Sequence, residues 1–170
     1  MRAGVVALFL VLASAAPAPA HEGSGCNGFG WPVDTEIEWM KATVPATQSG
    51  AKLASVPNAA VDLALAPAER VTLPSPPSGK PHGEVKTPHA GFFVIEKVPK
   101  AGLYQVSLAS PGWIDVIQNG KVLDSSEHSG AKDCPTLQKS VRFQLEEGPA
   151  TIEMSSVPDS HIKLTIRAAQ

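Results

Sequence analysis

From Val61 to the C-terminus, apolar and polar positions alternate with a period of two, interrupted at short intervals by glycine, proline and asparagine. Val61, Leu63 and Leu65 alternate with Asp62 and Ala64; Tyr104, Val106 and Leu108 with Gln105 and Ser107; Val141, Phe143 and Leu145 with Arg142, Gln144 and Glu146. Ile162, Leu164 and Ile166 alternate with His161, Lys163, Thr165 and Arg167. Side chains on a strand point to opposite faces in turn, so each run predicts a strand with one buried face. Gly91 to Glu96, with Phe92, Phe93, Val94 and Ile95 in succession, reads as a strand buried on both faces; Val71–Leu73 and Ile152–Met154 add short ones. Trp113 to Gln118 returns through Asn119-Gly120 into Lys121-Val122-Leu123. Asn-Gly between two such runs marks a tight hairpin, because both turn residues need positive φ. About eight short strands at this spacing predict a mainly β chain, a single jelly-roll-like β-sandwich.

Before Val61 the pattern changes. Residues 21–30 form a Gly-rich polar coil, followed by one short N-terminal helix. Asp34 is placed to act as its N-cap, Glu36 and Glu38 lie near its positive end, and Pro45 stops it. Ile37, Met40 and Val44 share one face by their i, i+3, i+7 spacing, and Trp31 and Trp39 flank it as staples to the sandwich. Two segments carry no strand pattern: Pro74 to His89, rich in Pro, Gly, Lys and His and expected to be exposed and mobile, and the polar run Asp124 to Pro135. The chain thus divides into a leader (1–20), a coil and helix packed on the domain (21–60), and the sandwich (61–170).

The leader sets the compartment. Arg2, the apolar run Val5–Leu12 and the closing Ala18-Pro19-Ala20 form a secretory signal peptide with an A-x-A cleavage site, too short to span a bilayer. The expected location is exported, either periplasmic or extracellular. No second apolar run is long enough for a membrane span. Taking Arg2 from 14 basic residues leaves 13 against 16 acidic ones, a charge of −3 with neutral histidine, which attracts no nucleic acid. Outside the reducing cytosol the two cysteines, Cys26 and Cys134, read as a disulfide. The competing reading, a pair of metal-binding thiolates, lacks a C-x-x-C and a neighbouring histidine.

Candidate chemistry is sparse. Trp113 and Asp115 share one side of their strand, opposite Ile114 and Val116. An aromatic ring beside a carboxylate is the unit of a sugar platform, stacking the ring and accepting from a hydroxyl. The plainer alternative makes Trp113 part of the core, since Ile117 lies on its side. His21, if exposed by cleavage after Ala20, would pair its amine and imidazole as a copper chelator, completed by another histidine of the domain. No G-x-S-x-G elbow and no phosphate-binding glycine loop occurs.

Two resemblances add to this. The run Ala101 to Leu108, the Asn-Gly hairpin from Trp113 to Leu123, the strand Val141 to Gly148, Thr151 to Met154 and Ile162 to Ile166 resemble, in that order, the strands of galactose-binding-like jelly rolls. The resemblance implies the fold, with a carbohydrate as partner. Over nearly its whole length the chain is also similar, through CNGFGWPVDTEIEWM, PPSGKP, GLYQVSL, GWIDVIQNG and KSVRFQL, to short secreted bacterial proteins that carry the designation homogentisate 1,2-dioxygenase. That designation implies iron held by two histidines and one carboxylate. His82, Glu84 and His89 supply those ligand types, which leave open positions for oxygen and substrate. They lie within eight residues of a proline-rich segment, where a solvated polar loop is the better explanation, since a triad needs rigid placement on strands. The expectation that follows is a secreted, non-catalytic protein without a cofactor. Its role would be recognition or envelope support, with a carbohydrate or an envelope protein as ligand. A metal-dependent dioxygenase (iron) or a copper protein at His21 is the alternative.

Overall fold

The alternating runs assemble into two sheets packed face to face. A computed structural model describes residues 25–80 and 83–170. In chain order the strands are β1 (Ala46–Thr47), β2 (Ala51–Leu53), β3 (Val61–Ala64), β4 (Ala66–Pro67), β5 (His89–Val98), β6 (Gly102–Leu108), β7 (Trp113–Gln118), β8 (Lys121–Val122), β9 (Ser125–Gly130), β10 (Lys139–Leu145), β11 (Gly148–Val157) and β12 (His161–Ala168). The first sheet runs β1-β3-β12-β6-β10-β9 and the second β2-β5-β11-β7-β8, with β4 also paired to β5. All pairs are antiparallel except β1 with β3 and β2 with β5. This is a β-sandwich with one short helix.

The core forms where the period of two aims the apolar side chains inward. Leu63, Val106, Leu108, Phe143, Leu164 and Ile166 from the first sheet meet Phe93, Ile95, Val116, Ile152 and Met154 from the second, all essentially inaccessible to water. Each such side chain contributes roughly 1.5–3 kcal/mol by burial, so this layer dominates the stability of the fold. Asn119 and Gly120 both adopt positive φ (53° and 72°) and close the β7–β8 hairpin.

The outward faces are covered too, and by polar contacts. Over the first sheet lies the N-terminal segment: a 3-10 turn (Gly25–Gly28), then helix α1 (Asp34–Lys41). A second apolar cluster of Phe29, Val33, Met40, Ala60, Ala131, Cys134 and Leu137 holds it there, with Trp31 and Trp39 packed alongside. Cys26 and Cys134 are joined in a disulfide, with their Cα atoms 4.4 Å apart. Trp31 donates from Nε1 to Ser140 at 3.1 Å, and the Arg142 guanidinium stacks 4.1 Å from its ring centroid.

Helix α1 departs from its expected form at both ends. Val33 occupies the N-cap position and provides no side-chain cap, while Asp34 is the first helical residue. The helix stops at Lys41, so Val44 is not part of its stripe. Pro45 restricts the residue before it to extended backbone, and the chain straightens from Ala42 on. The face turned to the sheet carries Glu36 and Met40. The sheet beneath offers Gln105 and Arg167, partners that a carboxylate needs when buried.

Three further expectations are corrected. Val71–Leu73 is not a strand; the preceding Ala66–Pro67 pairs instead, followed by a 3-10 turn over Ala68–Arg70. The Gly91–Glu96 strand extends at both ends to His89–Val98, so His89 belongs to a strand rather than to a loop. Ser125–Gly130, inside the expected polar loop, forms the edge strand β9; its other side is solvent, so nothing in it needs to be apolar. The described part of the Pro-rich segment, 74–80, is mostly exposed, as expected. Ser75 and Ser78 tie it to the outward face of the second sheet.

Candidate binding cleft

The outward side chains of β7 and β11 include two neighbouring acids. Asp115 and Glu153 lie opposite each other in the β7–β11 register, and both are buried. A strap, residues 74–80, covers them. Its Ser75 N–H donates to Glu153 Oε1 at 2.9 Å and its Ser78 N–H to Asp115 Oδ2 at 3.1 Å. The Ser78 hydroxyl and the Trp113 indole N–H both donate to Asp115 Oδ1, the latter at 3.2 Å. Glu153 Oε2 is buried with no partner. Burial raises the Glu153 pKa; the Ser75 N–H opposes that rise, and the charge of Asp115 adds to it.

The strap also builds one wall of a cleft of about 610 Å³, in the size range of small-molecule sites. The cleft runs along the edge where the β7–β8 hairpin passes over to β9 and β10. Ile114, Leu123, Val141 and Phe143 give it an apolar lining, while Ser78, Lys80, Asp124, His128, Gln138 and Lys139 supply polar groups. Trp113, half-buried, stands between the strap and Lys139. Gly79 rests so close to the ring that a Cβ would fall 2.5 Å from Trp113 Cζ2, which is why this strap position carries no side chain. Lys139 Nζ lies 4.9 Å from the ring centroid. Burial lowers the Lys139 pKa, and the nearby Asp115 charge partly counters the effect.

Trp113 and Asp115 therefore do share the outward side of β7, and the structure brings both to this cleft. The division of labour differs from an open sugar platform. Asp115 has both oxygens engaged by protein donors and serves to hold the strap and the indole. Trp113 is a wall of the cleft rather than a free shelf. Of the iron-type residues, Glu84 is exposed and His89 begins β5, with its Nδ1 buried and unpartnered. His82 and His21 lie outside the described residues, and so does the leader. Among the described residues no three His, Cys, Asp or Glu side chains converge to hold a metal ion. The Ser78 hydroxyl donates to Asp115 and accepts from the Trp113 indole N–H at 3.2 Å.

Lys139 is the cleft residue that sequence reasoning missed, and its signal was present. It shares strand parity with Val141, Phe143 and Leu145, so a charged residue stands on the inward face of β10. Lys80, Ser78 and His128 come from segments without periodicity and left no such trace. Among the described residues no helix is long and apolar enough to cross a membrane. No known protein family, curated protein or solved structure matches the chain.

Proposed function

We propose that this chain is an exported, non-catalytic recognition protein that takes a carbohydrate in the cleft between the β7–β8 hairpin and β9–β10. The observation that carries the reading is the cleft itself: one indole wall, an apolar lining and a ring of hydroxyl, amide and charged groups. Sugars present both an apolar face of C–H groups and a rim of hydroxyls, and aromatic side chains with a polar edge suit them. The disulfide and the A-x-A leader support export, since such bonds persist in oxidising compartments. Both oxygens of Asp115 are engaged by donors from the strap and the indole, a holding arrangement that supports a binding role.

The test is a glycan screen by calorimetry on protein recovered from the exported fraction, with its N-terminus fixed by intact mass. A mature chain beginning at His21, and a glycan whose binding is lost in folded Trp113→Ala, are the expected results. Should Trp113→Ala fail to fold, a ligand-induced shift of the Trp113 indole N–H resonance in the wild type takes its place. Binding that is indifferent to Trp113, or no glycan bound at all, overturns the reading.

A further inference from the structure

Lys139 stands at odds with its own strand. The three residues that follow it on the inward face of β10, Val141, Phe143 and Leu145, are all buried. The same parity carries an ammonium into the mouth of an apolar-walled space, over the ring of Trp113. Among the described residues no carboxylate oxygen lies within ion-pair distance of Nζ. Asp115, the acid whose charge it feels, is held by Ser78 and Trp113. Lys80 adds a second cation on the strap side; Asp124 and His128, both exposed, are the other titratable groups on the lining.

The ammonium is half-buried and has no protein acceptor among the described residues, so its donors are open to an incoming ligand. A carboxylate fills them with charge-assisted hydrogen bonds, roughly twice as strong as neutral ones. The indole beneath favours keeping the cation in place while it binds. We infer that the cleft selects ligands bearing a carboxylate, received by Lys139 over Trp113 with the rest of the ligand against Ile114, Leu123 and Phe143. This rests on the cleft being the ligand site, as proposed above. An acidic sugar and an aliphatic acid both supply the group, and the same lysine serves either. Its lowered pKa agrees with a charge that lacks a partner, and a bound carboxylate moves that pKa back upward.

The probes are trigalacturonate, its fully methyl-esterified form, a neutral galactose trisaccharide, and hexanoate. Each is titrated into the exported protein by calorimetry, with the Trp113 indole N–H followed by NMR. Trigalacturonate is expected to bind and shift that resonance, and the ester and the neutral sugar to bind roughly tenfold to a hundredfold more weakly. Lys139→Met should show the same loss for trigalacturonate, and Lys139→Arg should retain most of the affinity. Hexanoate binding without any sugar binding keeps the carboxylate preference and removes the carbohydrate reading. Equal affinity for acid and ester, or wild-type affinity in Lys139→Met, overturns the inference and leaves the carbohydrate reading standing. No shift at Trp113 with any of the four probes overturns both. If Lys139→Met does not fold, the comparison of acid with ester on the wild type decides alone.

Discussion

Glu153 is the residue whose placement costs the fold most visibly. One oxygen accepts from Ser75, the other has no partner, and the Asp115 carboxylate faces it across the strand pair. Its folded pKa is raised, chiefly by burial, so the folded protein holds this proton more tightly than the unfolded chain does. Its contribution to stability is then fully present below the ordinary glutamate range and is lost as pH rises through the raised value. Glu153→Gln keeps the acceptor for Ser75 and removes the charge. Melting curves should show the variant gaining on the wild type as pH rises through that window, then levelling off. A difference that stays flat with pH would show that Glu153 is not the group responsible. The sequence held part of this picture. Asp115 and Glu153 could be assigned to outward faces from strand parity, but nothing in PSPPSGK announces that this segment folds back over them. A strap makes its bonds through backbone N–H groups and hydroxyls, which leave no periodicity.

At the scale of elements, helix α1 is fastened by a buried ion pair as well as by its apolar stripe. Glu36 is fully buried and accepts from Gln105 and, at 2.5 Å, from Arg167 Nε. Removing one partner of a buried pair leaves the other desolvated and uncompensated, at about 3–5 kcal/mol. Glu36→Ala should therefore lower the unfolding free energy in denaturant by an amount in that range. The double variant Glu36→Leu with Arg167→Met should lose less than the single one, because no charge is then stranded. If the double loses the sum of Glu36→Leu and Arg167→Met measured singly, the pair is not coupled as described. The strands whose apolar residues alternate, β3, β6, β10 and β12, were legible in the sequence almost to their ends. The short parallel strands β1 and β2 and the all-polar edge strand β9 were not. Each is paired through a neighbour's backbone and is too short or too polar to show an apolar alternation of its own. The helix was legible in position, and Ile37 and Met40 of its stripe pack as expected; Glu36 was not legible, because it becomes a core residue only when Arg167 and Gln105 lie beneath it.

For the whole molecule, the bond between Cys26 and Cys134 is the largest single constraint. The two residues are 108 apart in sequence, and closing a loop of that size restricts the unfolded chain by about 4–5 kcal/mol in the chain-entropy model. Denaturant unfolding of the oxidised protein and of the reduced, alkylated protein should differ by about that amount. A difference near zero would mean that the apolar cluster around Phe29 and Leu137 already holds the N-terminal segment unaided.

The attachments of that N-terminal segment also fix an order of assembly. Cys26 needs Cys134, Gly30 bonds to Ser129, Trp31 to Ser140 and Glu36 to Arg167. Lys163 donates to the carbonyls of Met40 and Ala42. Every one of these partners lies in the last third of the chain. A polypeptide delivered N-terminus first thus keeps most ties of its leading segment, the Gln105–Glu36 bond apart, unmade until the last third of the chain arrives. Contacts so distant in sequence are slow to form. The covering over the first sheet is then the final piece to lock, and a chain halted short of β12 offers Glu36 the Gln105 amide but not the Arg167 charge.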